Sequence, residues 1–164
     1  MNNIVIQAVT EKDQDIIAHV KELFTAMYHE YAQMGLSITL PDNAAELWMN
    51  AVLPAINRMN ILYVALADGE VKGFIFGYFS FTKDYLGAAK TGVISETYVK
   101  PEMRTHGIGK LLIEAIEKWF AGKEISSVEL QTLYRNDNAI AFWEKAGYKK
   151  ESIHFRKVGL TPGN

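Results

Sequence analysis

The chain has 164 residues, 49% hydrophobic and 22% charged, with a formal net charge of −2. That composition suits one globular domain with a sizeable core and excludes global disorder, and without a strong positive field nucleic acid is a poor partner. There is no cysteine, which excludes disulfides, thiolate metal sites and a thiol nucleophile.

We read residues 1–164 as a single domain with no internal repeat and no low-complexity segment. The start, MNNIVIQAVTEKDQD, has no basic segment leading into a long apolar one, so no secretory signal is expected. No run approaches the roughly 18 apolar residues of a membrane span. Together with the missing cysteines, this leads us to expect a cytoplasmic protein without a membrane partner.

In chain order, NIVIQAV (3–9) alternates like a strand. Apolar residues then recur at helical spacing from 13 to 33, and Gly35 stops that helix. Pro41, Asp42 and Asn43 open a second helix through Leu47, Trp48, Val52 and Ile56, which Pro54 should kink or break. Two β-rich runs flank Asp68-Gly69, a hairpin signal. A loop at 82–90 leads to a third long strand at 91–99, ended by Pro101. A helix is expected over 105–121, with a core face of Leu111, Leu112, Ala115, Ile116 and Trp119. A strand at 126–133, a short helix at 137–146 closed by Gly147, and a terminal hairpin or strand pair complete the chain. The order β-α-α-β-β-β-α-β-α-β-β is mixed α/β.

The stretch RTHGIGK (104–110) raises the chemical question. A Walker loop fails, because Arg104 replaces its first glycine and Leu111 its magnesium-binding hydroxyl. A dinucleotide fingerprint is weak, because its third glycine is Leu112. Glycines before a helix also let an anion reach the free first-turn amides. A pyrophosphate would then lie on the amides of about 105–110, with Arg104 anchoring the loop and Lys110 at the rim. The alternative is a glycine turn packed against a neighbouring helix, and the glycines alone leave the two readings even.

The wider context adds a resemblance. V99-K-P-E-M-R104-T-H-G107-I-G109 looks like the V-x-P-x-x-R-x-x-G-x-G motif of the GNAT superfamily of acyl-CoA-dependent N-acetyltransferases, and N136-D-N-A139-I-A-F142-W143-E-K-A-G147-Y148 looks like its second motif. The resemblance implies the GNAT fold, with the strand at 91–99 splayed from its neighbour. It implies acetyl-CoA as acyl donor, no metal, and a small-molecule or peptide amine as acceptor. It implies cofactor contacts at Tyr98, Val99, Arg104, Thr105, His106, Gly107, Ile108, Gly109, Lys110, Asn136, Phe142 and Trp143. For Asn136 the competing role is a helix cap, which Asp137 or Asn138 would otherwise supply. A homodimer is a further implication.

Acetyl transfer needs a neutral amine, and an alkylammonium has a pKa near 10.4, so a base or a desolvating site is required. Glu96, a charged residue within an apolar strand, is the candidate base; a rim carboxylate that fixes substrate charge is the alternative. Where the family often has a tyrosine for the leaving thiolate, this chain has Trp143, and Gln131 stands where one branch carries a glutamate. Tyr134 is the fallback acid, and water is another. The family places its acceptor between the first two helices and the central strands, which brings in Tyr28, Tyr31 and Tyr85 as pocket residues able to meet a cation. The four histidines, His19, His29, His106 and His154, have no metal-ligand spacing. A non-catalytic acyl-CoA sensor and a cofactor-free interaction domain are the competing classes.

Overall fold

The computed structural model describes residues 3–163. Strand β1 is Val5–Ala8 and helix α1 is Gln14–Gln33. The turn between them is held by Asp13, whose carboxylate accepts the amide and hydroxyl of Thr10 at 2.7 and 2.8 Å. Helix α2, Ala44–Val52, stops where a 3-10 turn at Leu53–Ala55 carries Pro54, as expected of a residue with no amide to donate. Strands β2 (Asn60–Ala67) and β3 (Glu70–Phe81) form a hairpin through Asp68 and Gly69, at φ 53° and 77°, the left-handed pair that suits strand twist. Strand β4 is Lys90–Val99, helix α3 Ile108–Gly122, strand β5 Val128–Leu130 and helix α4 Asp137–Lys145.

The sheet order is β1-β2-β3-β4-β5, antiparallel except for the parallel β4–β5 pair. Both faces are covered. Val20, Phe24 and Met27 of α1 and Met49 of α2 pack with Val64, Phe74, Phe76 and Tyr98 on one side. Leu112, Ile116 and Phe120 of α3 and Trp143 of α4 pack with Ile61, Ile75 and Ile94 on the other. Burial on two faces explains why β2 and β3 are apolar almost throughout.

Four expectations are corrected. Helix α3 begins at Ile108, three residues later than the pattern suggested, because the segment before it is spent on a loop. Its buried face is Ile108, Leu112, Ile113, Ile116 and Phe120, while Leu111 is exposed. Strand β5 has only three residues. Residues 149–163 form neither helix nor strand, and the expected terminal hairpin is absent.

One irregularity sets the orientation of the site. Phe76 stands opposite Glu96, but Gly77 stands opposite Ile94, so Ser95 is an extra residue in β4, a β-bulge. The bulge changes which face the following side chains take. Ile94 lies with α3, whereas Tyr98 joins the α1–α2 side, and Glu96 shares its face. Beside it, Gly77 has no room to grow: a Cβ there would meet the Val93 carbonyl oxygen and Ile116 Cδ1, each at 2.7 Å. Gly77→Ala should therefore cost about 1–3 kcal/mol by overpacking. Thermal unfolding would read this as a fall in Tm of roughly 2–4 °C per kcal/mol.

Candidate active site

Strands β4 and β5 pair only at Gly92–Val128, Val93–Glu129 and Ile94–Leu130. Beyond Ile94 they part, and Glu96–Val99 keep β3 on one side with no strand on the other among the described residues. Two parallel strands that diverge leave one edge of backbone donors and acceptors unsatisfied by the sheet. The same stretch carries two buried side-chain atoms without a hydrogen-bond partner among the described residues, Glu96 Oε2 and Thr97 Oγ1. Buried polar atoms that lack partners are costly, so this edge is built to meet something polar.

Strand β4 leads directly into the glycine loop. Pro101–Met103 make one 3-10 turn, closed by the Arg104 amide on the Pro101 carbonyl. The next backbone bond outside regular elements is from Leu111 to the Gly107 carbonyl. Between them the amides of Thr105 to Lys110 have no carbonyl partner among the described residues. No side chain caps α3, and Thr105 and Gly107 sit at φ 69° and 82°. A threonine in this region stores strain of roughly 1–2 kcal/mol, which the contacts around the loop must offset. A set of uncapped amides at the positive end of a 15-residue helix favours an anion.

The two glycines do different work. A Cβ on Gly107 would meet nothing within 4 Å, so its surroundings are open. A Cβ on Gly109 would lie 2.8 Å from Phe142 Cζ. Gly109 is thus a packing glycine that lets α4 rest on the start of α3, and Phe142 is its partner. The packing reading holds at Gly109, and the space over Gly107 is open.

Arg104 fastens this loop to the first helix. Its Nη2 donates to both carboxylate oxygens of Glu30, at 3.0 and 2.9 Å, and its Nε donates to the Val99 carbonyl at 3.0 Å. The Tyr98 hydroxyl donates to Glu30 Oε1 at 2.6 Å, and the guanidinium lies over the Tyr98 ring. Burial and the Glu30 carboxylate hold the Tyr98 phenol protonated, above its usual range. No local spacing in the sequence reports Glu30 in this role, because its partner is 74 residues away.

The Glu96 side chain is 8% exposed. Burial raises its carboxyl above the usual range, with Ser95 and Trp48 as the donors that pull the other way. Tyr28 and Tyr31 lie close enough to feel its charge; burial and that charge raise Tyr28, and Tyr31 is pushed up to about 12, mainly by burial. Their rings meet edge to face at 5.5 Å. Tyr85 is not with them. It lines a separate cavity of about 370 Å³ at the β3–β4 connection, with Phe81, Lys83 and Glu129. Tyr28 and Tyr31 thus share the Glu96 neighbourhood, while Tyr85 stands in the β3–β4 connection.

Asn136 is the cap of α4: its Oδ1 accepts the Ala139 amide at 3.1 Å. The neighbours expected to take that task do not, and only the Asn136 amide nitrogen stays unengaged. Trp143 is buried against Phe142 and Tyr148, so its indole serves the core. Tyr134, between β5 and α4, is 86% exposed and its hydroxyl touches no described side chain. His106 Nδ1 lies 2.9 Å from the Arg104 carbonyl, within the loop, and Lys110 is exposed, 3.7 Å from Glu114.

Known proteins share this fold. The family model described as Acetyltransferase (GNAT) family matches residues 23–148. A curated relative, the uncharacterized N-acetyltransferase YhfO of Bacillus subtilis (strain 168), is 26% identical over 140 residues, which span 84% of this chain and 88% of that protein. Among solved structures, aminoglycoside N-acetyltransferase AAC(6')-Iy in complex with CoA superposes with a TM-score of 0.76 at 18% identity, over 97% of both chains. An aminoglycoside acetyltransferase, meta-AAC0020, from an uncultured soil metagenomic sample superposes with a TM-score of 0.72 at 21% identity, over 96% of this chain and 97% of its own.

The burial of Glu96 has a consequence for stability. Its folded pKa is raised, so the folded state binds the proton more tightly than the unfolded state, and stability falls as pH rises from the ordinary value of 4.5 through the folded pKa. Glu96→Gln removes this loss. Denaturant midpoints should show the variant more stable than the parent at pH 7, with the difference shrinking to nothing as pH falls below 4.5.

Proposed function

The chain belongs to the GNAT acetyltransferase family, and from that premise we propose that it transfers an acetyl group from acetyl-CoA to a primary amine of a small molecule or peptide by direct attack. The observation that supports this most strongly is the continuity of two unsatisfied surfaces. The free edge of β4 at Ser95–Val99 runs into the bare amides of Thr105–Lys110. An extended, amide-bearing arm that ends in a diphosphate matches both in turn: strand addition satisfies the edge, and the helix start takes the charge.

When bound, acetyl-CoA supplies the acetyl group as a thioester, from which the amine displaces the thiol. The residues of the chain do the rest. Amides on the free edge of β4 are placed to polarise a carbonyl. Glu96 stands where the bulge turns it toward the α1–α2 side, and its raised pKa suits it to take a proton from an ammonium near neutral pH. Tyr28 and Tyr31 supply ring faces for a cation beside that carboxyl. Tyr134 or water returns a proton to the leaving thiolate. Glu30 and Arg104 hold the loop against β4 while this happens. The aminoglycoside acetyltransferases among the structural neighbours make a polyamine-like acceptor a natural member of an assay panel.

Calorimetry with CoA tests the binding half. Gly107→Val sets a branched side chain at φ 82° on the amide surface and should weaken CoA about tenfold or more, with circular dichroism confirming the fold. Undiminished affinity in a folded variant would sink the reading. Thiol release over an amine panel tests the chemical half. The parent's kcat/KM should fall as pH drops through the raised Glu96 pKa, and Glu96→Gln should lose that limb along with about 10²-fold or more of the rate. An unchanged profile would remove Glu96 as the base, and tight CoA binding without release for any amine would leave a sensor.

A further inference from the structure

The sheet face that carries Glu96 continues past it. Phe76 stands opposite Glu96 in the β3–β4 ladder, and two residues further along β3, Tyr78 stands opposite Val93. The Tyr78 ring lies 6.3 Å from that of Phe76, on the α1–α2 side. Val93 in turn stands opposite Glu129 of β5. Residues directly opposite one another share a face, so Tyr78, Val93 and Glu129 form one row on the face of Glu96. The neighbours of Glu129 agree, since Val128 and Leu130 both pack on the α3 side.

This row borders the cavity of about 370 Å³ that Glu129 lines. Ser80 and Thr91, opposite one another in the next row, line it too, with Lys83, Tyr85 and Leu86 of the β3–β4 connection. Glu129 has no hydrogen-bond or ion-pair partner among the described residues, although Lys83 lines the same cavity. The Lys83 ammonium lies instead over the Tyr85 ring, 5.7 Å from its centre. The cavity thus combines a free carboxylate with a ring that already receives an ammonium, the two groups that recognise an alkylammonium ion. The hydroxyls of Ser80 and Thr91 can accept its remaining protons.

We propose that this cavity is a second ammonium subsite, and that the acceptor is a linear diamine or polyamine. Glu129 and the Tyr85 ring hold one nitrogen while another reacts beside Glu96. Lys83 is the resident cation that the ligand's ammonium displaces from the ring. The spacing fits. Two residues along β3 cover roughly 7 Å and adjacent strands lie about 4.8 Å apart, so Glu96 and Glu129 are separated by roughly 8 Å. A saturated chain covers roughly 1.2 Å per bond, as the extended backbone does, so about six methylenes between two nitrogens bridge the carboxylates. This inference rests on the acetyl-transfer reading of the Glu96 site and adds a length requirement that the reading alone does not contain.

Thiol release with acetyl-CoA tests it on diaminohexane, hexylamine and diaminopropane, whose nitrogens are only roughly 5 Å apart. The kcat/KM for diaminohexane should exceed those for the other two by about fivefold or more. Glu129→Gln, at an exposed position of β5, should bring the ratio of diaminohexane to hexylamine down to about one, through KM rather than kcat. Lys83→Gln should raise that ratio. Calorimetry supplies a readout without turnover: diaminohexane should bind the CoA-loaded parent about fivefold more tightly than the Glu129→Gln variant. Equal use of hexylamine and diaminohexane, a ratio indifferent to Glu129→Gln, or one lowered by Lys83→Gln would each overturn the subsite and leave acetyl transfer standing. Release with no amine would overturn acetyl transfer instead. Calorimetry then judges the subsite alone, and diamine binding that Glu129→Gln does not weaken overturns it.

Discussion

The parting of β4 from β5 is the constraint on which the rest depends. A parallel strand pair that ran its full length would bury its backbone in a closed ladder and offer nothing to a ligand. Here the ladder stops after three residue pairs. The bulge at Ser95 coincides with the stop, and the strand changes its facing at the same point. One extra residue thus creates an open edge and turns a carboxylate out of the hydrophobic repeat. Glu96 would otherwise occupy a position like that of Ile94, pressed against α3, where nothing could accept its charge.

An open edge and a bare loop are both unstable features, and the structure compensates for them at a distance. Glu30 of α1 gathers Arg104 and Tyr98. Gly109 lets Phe142 close on the base of α3. The loop is therefore clamped from both layers while its amides stay uncovered. The Arg104–Glu30 pair is partly exposed, and its value lies in geometry more than in net stability. It fixes the angle at which the loop leaves β4.

Much of this fold is readable from local chemistry. The Asp68-Gly69 turn and the break at Pro54 announce themselves, because each rests on residues within four positions. The motif pair around Arg104 and Asn136 was equally plain. What stayed hidden depends on distant partners. The phase of α3 follows from where its loop ends, which the sheet decides, so Leu111 and Ile113 exchanged places between core and solvent. Glu30 has no meaning without Arg104. The bulge at Ser95 leaves no mark in composition. Tyr85 lines a cavity with residues of β3, its own loop and β5, a grouping that no local spacing announces. The terminal segment alternates like a strand, yet residues 149–163 form none, because strand formation needs a pairing edge that alternation alone does not supply.

The contact between Gly109 and Phe142 also bears on how such a protein can change over generations. The two residues stand in different motifs, 33 positions apart by their numbering, yet one vacates the volume that the other fills. A side chain gained at the first obliges the second ring to shift or to shrink. The two positions are therefore coupled, and a change at one motif is felt in the other.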